Sequence, residues 1–220
     1  MFLMNVKKEY RKIKVTYLKM VYLFVAGSLG GFLLEGVFSY LKRGAWESHV
    51  VSVWGPFCII YGIGLCLCYK GNVAMEGKKM IYKFFAFGIG GCLLELVCGA
   101  LLDVKWHMRA WNYTKHPLNF RGYVSLDMIL VWGLLGVVMA LLLPNLDKIL
   151  SKLDGRFWEV ACKCFIIFMA INLIITAGAI NRWSERHFNL PPSNFIEEKL
   201  DEWYPDDYMH ERFCEWKFIE

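Results

Sequence analysis

Apolar residues along this 220-residue chain come in long blocks, not at the scattered intervals of a globular core. Five blocks read as helices, at about residues 17–41, 52–69, 81–102, 123–143 and 157–180. About 20 apolar residues are enough to cross a bilayer. The pattern therefore predicts an all-α integral membrane protein with about five transmembrane helices. The second block is the shortest and begins "WGP", so it reads as a short or partly re-entrant segment. Pro56 suits a helix start, where its missing N–H is not needed. The opening "MFLMNVKKEYRKIK" is basic and lacks the apolar core and cleavage site of a signal peptide. The first helix is thus expected to remain in place.

The polar positions orient the helices. Six basic residues precede or open the first helix (Lys7, Lys8, Arg11, Lys12, Lys14, Lys19). Lys70, Lys78, Lys79 and Lys83 lie between helices two and three, and Lys148, Lys152 and Arg156 between four and five. The opposite loops carry only Lys42, Arg43, Lys105, Arg109, Lys115 and Arg121. The side richer in Lys and Arg is cytoplasmic, which puts the N-terminus inside and, after five spans, the C-terminus outside. Three parts are expected: a basic cytoplasmic arm (1–16), a five-helix membrane domain (17–180) and an acidic, aromatic tail (181–220). The composition agrees, with 57% hydrophobic and only 20% charged residues against roughly a quarter charged in soluble domains. The formal charge of +5 combines a tail from Asn181 of net −5 with a remainder near +10, whose positive charge lies mostly in the arm and inner loops. It reads as contact with anionic lipid and topology, not nucleic-acid binding. Most of the eight cysteines sit in or beside the apolar blocks, where cysteine acts as a small apolar residue. No zinc or other metal spacing occurs, and no cofactor motif is evident.

An internal repeat underlies the blocks. "GGFLLEGV" from Gly30 returns sixty residues later as "GGCLLELV" from Gly90. "YG" at Tyr61 corresponds to "WG" at Trp132, at an offset of seventy-one. Each copy (21–70 and 81–143) holds two helices, so both enter the membrane in the same direction. The first four helices are thus expected to form two parallel two-helix repeats, with the fifth as an addition. Glycines at 27–31 and 88–91 are expected to mark close crossings between the copies.

Each copy places a glutamate, Glu35 or Glu95, inside its apolar run. Such a carboxylate normally faces protein or water, not lipid. Asp127 is expected at a similar depth. Arg109 and Arg121, in the long outer loop "DVKWHMRAWNYTKHPLNFRGYVSLD", are the candidate counter-ions. The cluster reads in two ways: a structural salt-bridge clamp, or an outward-facing substrate or proton site. Asn172 and Thr176, one turn apart in the fifth block, read as partners for a neighbouring helix or as lining of a path. The acidic tail is expected to lie along the membrane surface.

These features carry a resemblance. "LLE", "GPFCIIYGIG", a second "LLE", "WNYTKHPLNFRGYVSL", "WGLLG" and "RWSER" follow in order. The chain resembles the bacterial ABC-transporter type IV permease family, over roughly residues 29–186. Trp111, Asn112, Tyr113, Asn119, Gly122, Leu126, Trp132 and Gly133 match its long-loop signature. Gly55, Pro56, Tyr61 and Gly62 match the shorter one. "WNYT" replaces the commoner "WDYS", and "SHVVSVW" stands where the family often has Asn-Arg-Gly. The resemblance implies a multi-pass transport permease of the bacterial cytoplasmic membrane, with Trp111, Asn112, Tyr113 and Asn119 joining the candidate site. No G-x-x-x-x-G-K-[ST] occurs, so an ATPase would be a separate chain. A homo-oligomeric carrier, a membrane-embedded enzyme acting on a lipid or envelope substrate, and a non-catalytic accessory protein are the alternatives. No nucleophile–base motif supports the enzyme.

Overall fold

The structure, a computed structural model, describes residues 13–46 and 49–219. Most of the basic arm lies outside the described residues. Of the described residues 69% are helical, in seven helices. Five form the body: α1 (Tyr17–Arg43), α2 (Ile59–Ala74), α3 (Met80–Trp106), α4 (Met128–Leu150) and α5 (Arg156–His187). Two short ones, α6 (Phe195–Trp203) and α7 (Asp206–Arg212), follow in the tail. Four two-residue strands decorate the loops: β1 (Met108–Arg109), β2 (Asn119–Phe120), β3 (Val124–Ser125) and β4 (Lys217–Phe218).

Four helices, α1, α3, α4 and α5, are long and apolar enough to cross a membrane. They bury only 22–33% of their most apolar windows, and residues such as Leu33, Leu93, Leu134 and Ile174 stand exposed. Apolar surface on that scale suits contact with lipid. The second of the five expected spans differs. Helix α2 has 16 residues, roughly 24 Å long, short of the ~30 Å hydrocarbon core.

The missing length is an irregular descending segment, residues 49–58. Its backbone reaches the middle of α5: Val53 N–H donates to Thr176 Oγ1 (2.9 Å) and Trp54 N–H to Asn172 Oδ1 (3.2 Å). Asn172 Nδ2 returns a bond to the Trp54 carbonyl (2.9 Å). Cys58 N–H donates to the Ser28 carbonyl of α1 (3.0 Å). Non-helical backbone at such depth is stable only where protein satisfies its polar groups. Asn172 and Thr176 therefore serve this segment, not a neighbouring helix.

Helix α1 packs chiefly on α2, and α3 on α4, while α2 joins the two pairs through α4 and α5 lies outside them. The glycines explain the pairing and correct one expectation. They mark crossings within each hairpin, not between hairpins. A Cβ on Gly31 would lie 2.4 Å from the Tyr61 ring, and one on Gly91 only 2.0 Å from Trp132 Cγ. Gly90 next door has nothing within 4 Å. Gly91→Ala should therefore lower stability by about 1–3 kcal/mol through overpacking. Gly90→Ala should be neutral or better, since alanine is the stronger helix former. Thermal unfolding of the two variants in detergent, compared side by side, checks this; equal melting would refute the close approach.

Two further boundaries moved. Helix α4 runs through Pro144 to Leu150, because Leu143 and Leu150 pack on Leu23 and Tyr69. Leu146 and Leu153 pack against the same cluster, although Ile149 remains exposed. Asp147 fixes this end by accepting from Lys19 Nζ (2.5 Å) and Tyr69 OH (2.6 Å). At the other end α5 continues to His187, and the tail folds back on it. Met209, Phe213 and Trp216 of the tail pack with Val53, Met108, Ile180 and Trp183. Strand β4 pairs antiparallel with β1. Tyr208 OH and Arg212 Nε donate to the carbonyls of Val53 (2.8 Å) and Ser52 (3.0 Å). The tail is a cap over the descending segment and the start of the loop between α3 and α4.

Candidate functional site

A cavity of about 930 Å³ lies where the helical body meets the cap. Glu35 of α1 and Glu95 of α3 both line it. Among the described residues, no arginine pairs with either. Glu35 accepts from the Tyr61 hydroxyl of α2, its own hairpin partner. Glu95 accepts from Trp132 Nε1 of α4 (2.9 Å), again its hairpin partner, and from Tyr113 OH at 3.5 Å. The same local logic thus operates twice. A glycine lets a ring lie flat across the helix crossing, and the polar atom of that ring reaches the carboxylate one turn farther along.

The expected counter-ions are engaged elsewhere. Arg109 lines the cavity but pairs with Asp103 (3.4 Å). Arg121 stands exposed, in a left-handed conformation (φ 52°), and does not line the cavity. Asp127 does not join the glutamates either. It accepts from the Ser125 hydroxyl and faces His116 Nδ1 at 2.9 Å. The Ser125 bond, then the His116 bond, holds its carboxyl below the ordinary value. The expected convergence of three acidic groups is therefore a convergence of two.

The long-loop signature residues divide by task. Asn112 Oδ1 accepts from Thr114 N–H (2.9 Å), and Trp111 Nε1 donates to the Tyr123 carbonyl (2.7 Å). Asn119 donates to the His116 carbonyl (2.8 Å) and accepts from Gly122 N–H (3.0 Å). Gly122 has φ 76°, and a Cβ there would lie 2.7 Å from Asn112 Oδ1. These residues build the loop around the β2–β3 pair. Tyr113 is what that loop delivers to Glu95. Burial, then the charges of Glu95, Glu35 and Asp127, push its phenol well above the ordinary value, so it remains a donor. Trp111 and Asn112 line the cavity beside it, while Asn119 does not.

Sequence reasoning missed several wall residues. Tyr61 and Trp132 were visible as repeat markers, but their hydrogen bonds to the glutamates were not. His49 was hidden in an unremarkable loop. It lies 2.5 Å from Glu215 and 4.0 Å from Glu35. Nothing in the sequence announced that residues Phe213 to Ile219 would form part of the wall.

Among the described residues, no group of three or more His, Cys, Asp or Glu could hold a metal ion. The eight cysteines form no disulfide among the described residues, and Cys58, Cys68 and Cys162 are buried.

Comparison with curated proteins gives no match, and comparison with solved structures gives none either. The family description "Putative ABC-transporter type IV" matches residues 22–177, which spans α1 to most of α5 and stops short of the cap. That match covers more than two thirds of the chain and includes both glutamates, both hairpins and the Trp111–Gly122 loop. With four apolar helices of membrane-crossing length, it fits a membrane transport protein. The chain belongs to the putative ABC-transporter type IV family.

Proposed function

We propose that this chain is the permease-like membrane subunit of a transport system, with a polar site at Glu35 and Glu95. The observation that carries the reading is that both intramembrane carboxylates line one cavity, beside Arg109, Trp111, Asn112 and Tyr113. Ionisable groups inside apolar spans mark substrate or ion pathways by default. The asymmetry of Lys and Arg supports a cytoplasmic N-terminus, which makes the site outward-facing. The matched pairs Gly31–Tyr61–Glu35 and Gly91–Trp132–Glu95 support descent from a parallel two-helix duplication. The chain carries no phosphate-binding loop, so ATP hydrolysis would come from a separate subunit docking on the inner side.

A second reading has its own support. Each glutamate is hydrogen-bonded across its hairpin, as a structural clamp in an accessory protein would be. One experiment separates the two. The tagged full-length chain is purified from native membranes and assayed for a co-purifying, vanadate-sensitive ATPase. An ATPase is expected, and its activity should fall in Glu35→Gln and Glu95→Gln preparations of unchanged melting temperature. Recovery of no ATPase in repeated purifications refutes the permease-subunit reading. If the Gln variants melt lower while ATPase activity is intact, the clamp reading stands instead.

A further inference from the structure

The geometry points to a ligand that carries an ammonium group, seated against Glu35 and Glu95 in the cavity. This rests on the polar-site reading above and adds the chemical class of the ligand. The carboxylates are hydrogen-bonded by neutral donors only, Tyr61 for one and Trp132 with Tyr113 for the other. Arg43, His49, Lys42, Arg109, His116 and Lys217 also line the cavity, but among the described residues none of them hydrogen-bonds to either glutamate. Arg109 is paired with Asp103 and Arg43 with Glu215 (3.3 Å). Lys42 lies over the Phe38 ring, seven residues beyond Glu35 on α1, roughly 10 Å farther along the helix. His49 is 4.0 Å from Glu35 but only 2.5 Å from Glu215.

Glu95 adds an independent sign. It is only 7% exposed, and its Oε2 is buried with no hydrogen-bond partner. A buried acceptor left unmatched is costly, the more so when charged. An N–H donor from a ligand would remove that cost. Four aromatic rings, Tyr61, Trp111, Tyr113 and Trp132, line the same cavity. Aromatic faces attract cations, and aromatic cages are a recurrent answer to ammonium groups. A divalent metal fits poorly. Calcium takes six to eight oxygen ligands, and no group of three metal-ligating side chains exists among the described residues. An ammonium needs only a few acceptors and welcomes rings around its carbon chain.

The test uses the purified full-length chain in detergent, with butylammonium chloride and sodium butyrate as probes at matched ionic strength. Isothermal titration should show saturable binding of butylammonium and none of butyrate. Glu35→Gln and Glu95→Gln should each weaken butylammonium binding at least tenfold. Asp127→Asn, outside the cavity, should leave it unchanged. In the wild type alone, butylammonium should raise the melting temperature while butyrate should not, a reading that needs no variant. Equal behaviour of the two probes, or wild-type binding by both Gln variants, overturns the inference. Binding in detergent does not depend on flux. Failure to recover an ATPase would remove the transport role and leave an ammonium site standing. An ATPase recovered without ammonium binding would remove this inference alone.

Discussion

Replacing Asn172 with leucine should lower the melting temperature of the detergent-solubilised protein by roughly 2–12 °C. Asn172 is fully buried in α5 and makes two bonds to Trp54, accepting from its N–H and donating to its carbonyl. The carbonyl keeps a second donor in the Ser52 hydroxyl (2.9 Å). The N–H has no such substitute and would be stranded among apolar groups. An unsatisfied buried group costs about 1–3 kcal/mol. Each kcal/mol shifts melting by about 2–4 °C in a protein of this size. Thr176→Val, which strands the Val53 N–H, should act in the same direction. Unfolding followed by thiol exposure of buried Cys58 and Cys162 reports it. An unchanged transition in Asn172→Leu would mean that the 49–58 segment does not lean on α5.

The second large effect belongs to Arg182. It is 1% exposed and clamps Asp201 with two bonds, from Nε (3.0 Å) and Nη2 (2.7 Å). Its Nη1 donates to Glu185 (2.5 Å), and Glu197 lies 3.7 Å away. Removing one member of a buried, hydrogen-bonded charge group costs ~3–5 kcal/mol. The acids are themselves 21–31% exposed, which places the expected loss at the low end, about 3 kcal/mol. Arg182→Met should release the cap, so amides of residues 195–219 should exchange with deuterium much faster than in the wild type. Acid should do the same. Burial acts upward on Asp201, but Arg182 and then Arg186 outweigh it and hold its carboxyl below the usual range. A depressed folded-state pKa stabilises above the unfolded value of about 3.9 and is lost as pH falls through the folded one. The wild-type cap should therefore stay closed at neutral pH and open only in acid below about pH 4. Exchange in the Arg182→Met variant equal to that of the wild type at pH 7 would sink the clamp.

Much of the body was legible in the sequence because its signals are local. Runs of apolar residues announce helices, and glycine pairs followed by a glutamate announce a close crossing and a protein-facing carboxylate. Both glutamates do turn inward to one cavity. The second helix was harder. Its apolar stretch starts in the descending segment, and hydropathy cannot tell irregular backbone from helix when both are apolar. The counter-ion assignment failed for a different reason. Arg109 and Arg121 were the nearest charges in the loop, yet Asp103, six residues before Arg109, lies at the end of the same helix and reaches it first. Proximity along the chain favoured a partner that an intramembrane reading had passed over.

The tail shows the limit most clearly. Its negative charge was plain, as was the pair of arginines in "RWSER", but not that the one would close on the other. Ion pairs of this kind join residues such as Arg182 and Asp201 that are nineteen apart. They form only after α5 has ended and the chain has turned back. By itself, the sequence determined a helical membrane body, its two hairpins and the two carboxylates within them, because periodicity, glycine and desolvation act over a turn or two. The tertiary structure alone decided which donors satisfy those carboxylates, that the segment before the short α2 leans on α5, and that the C-terminal cap walls the cavity. Those outcomes depend on contacts between distant segments, and no local preference encodes which distant polar group will arrive first.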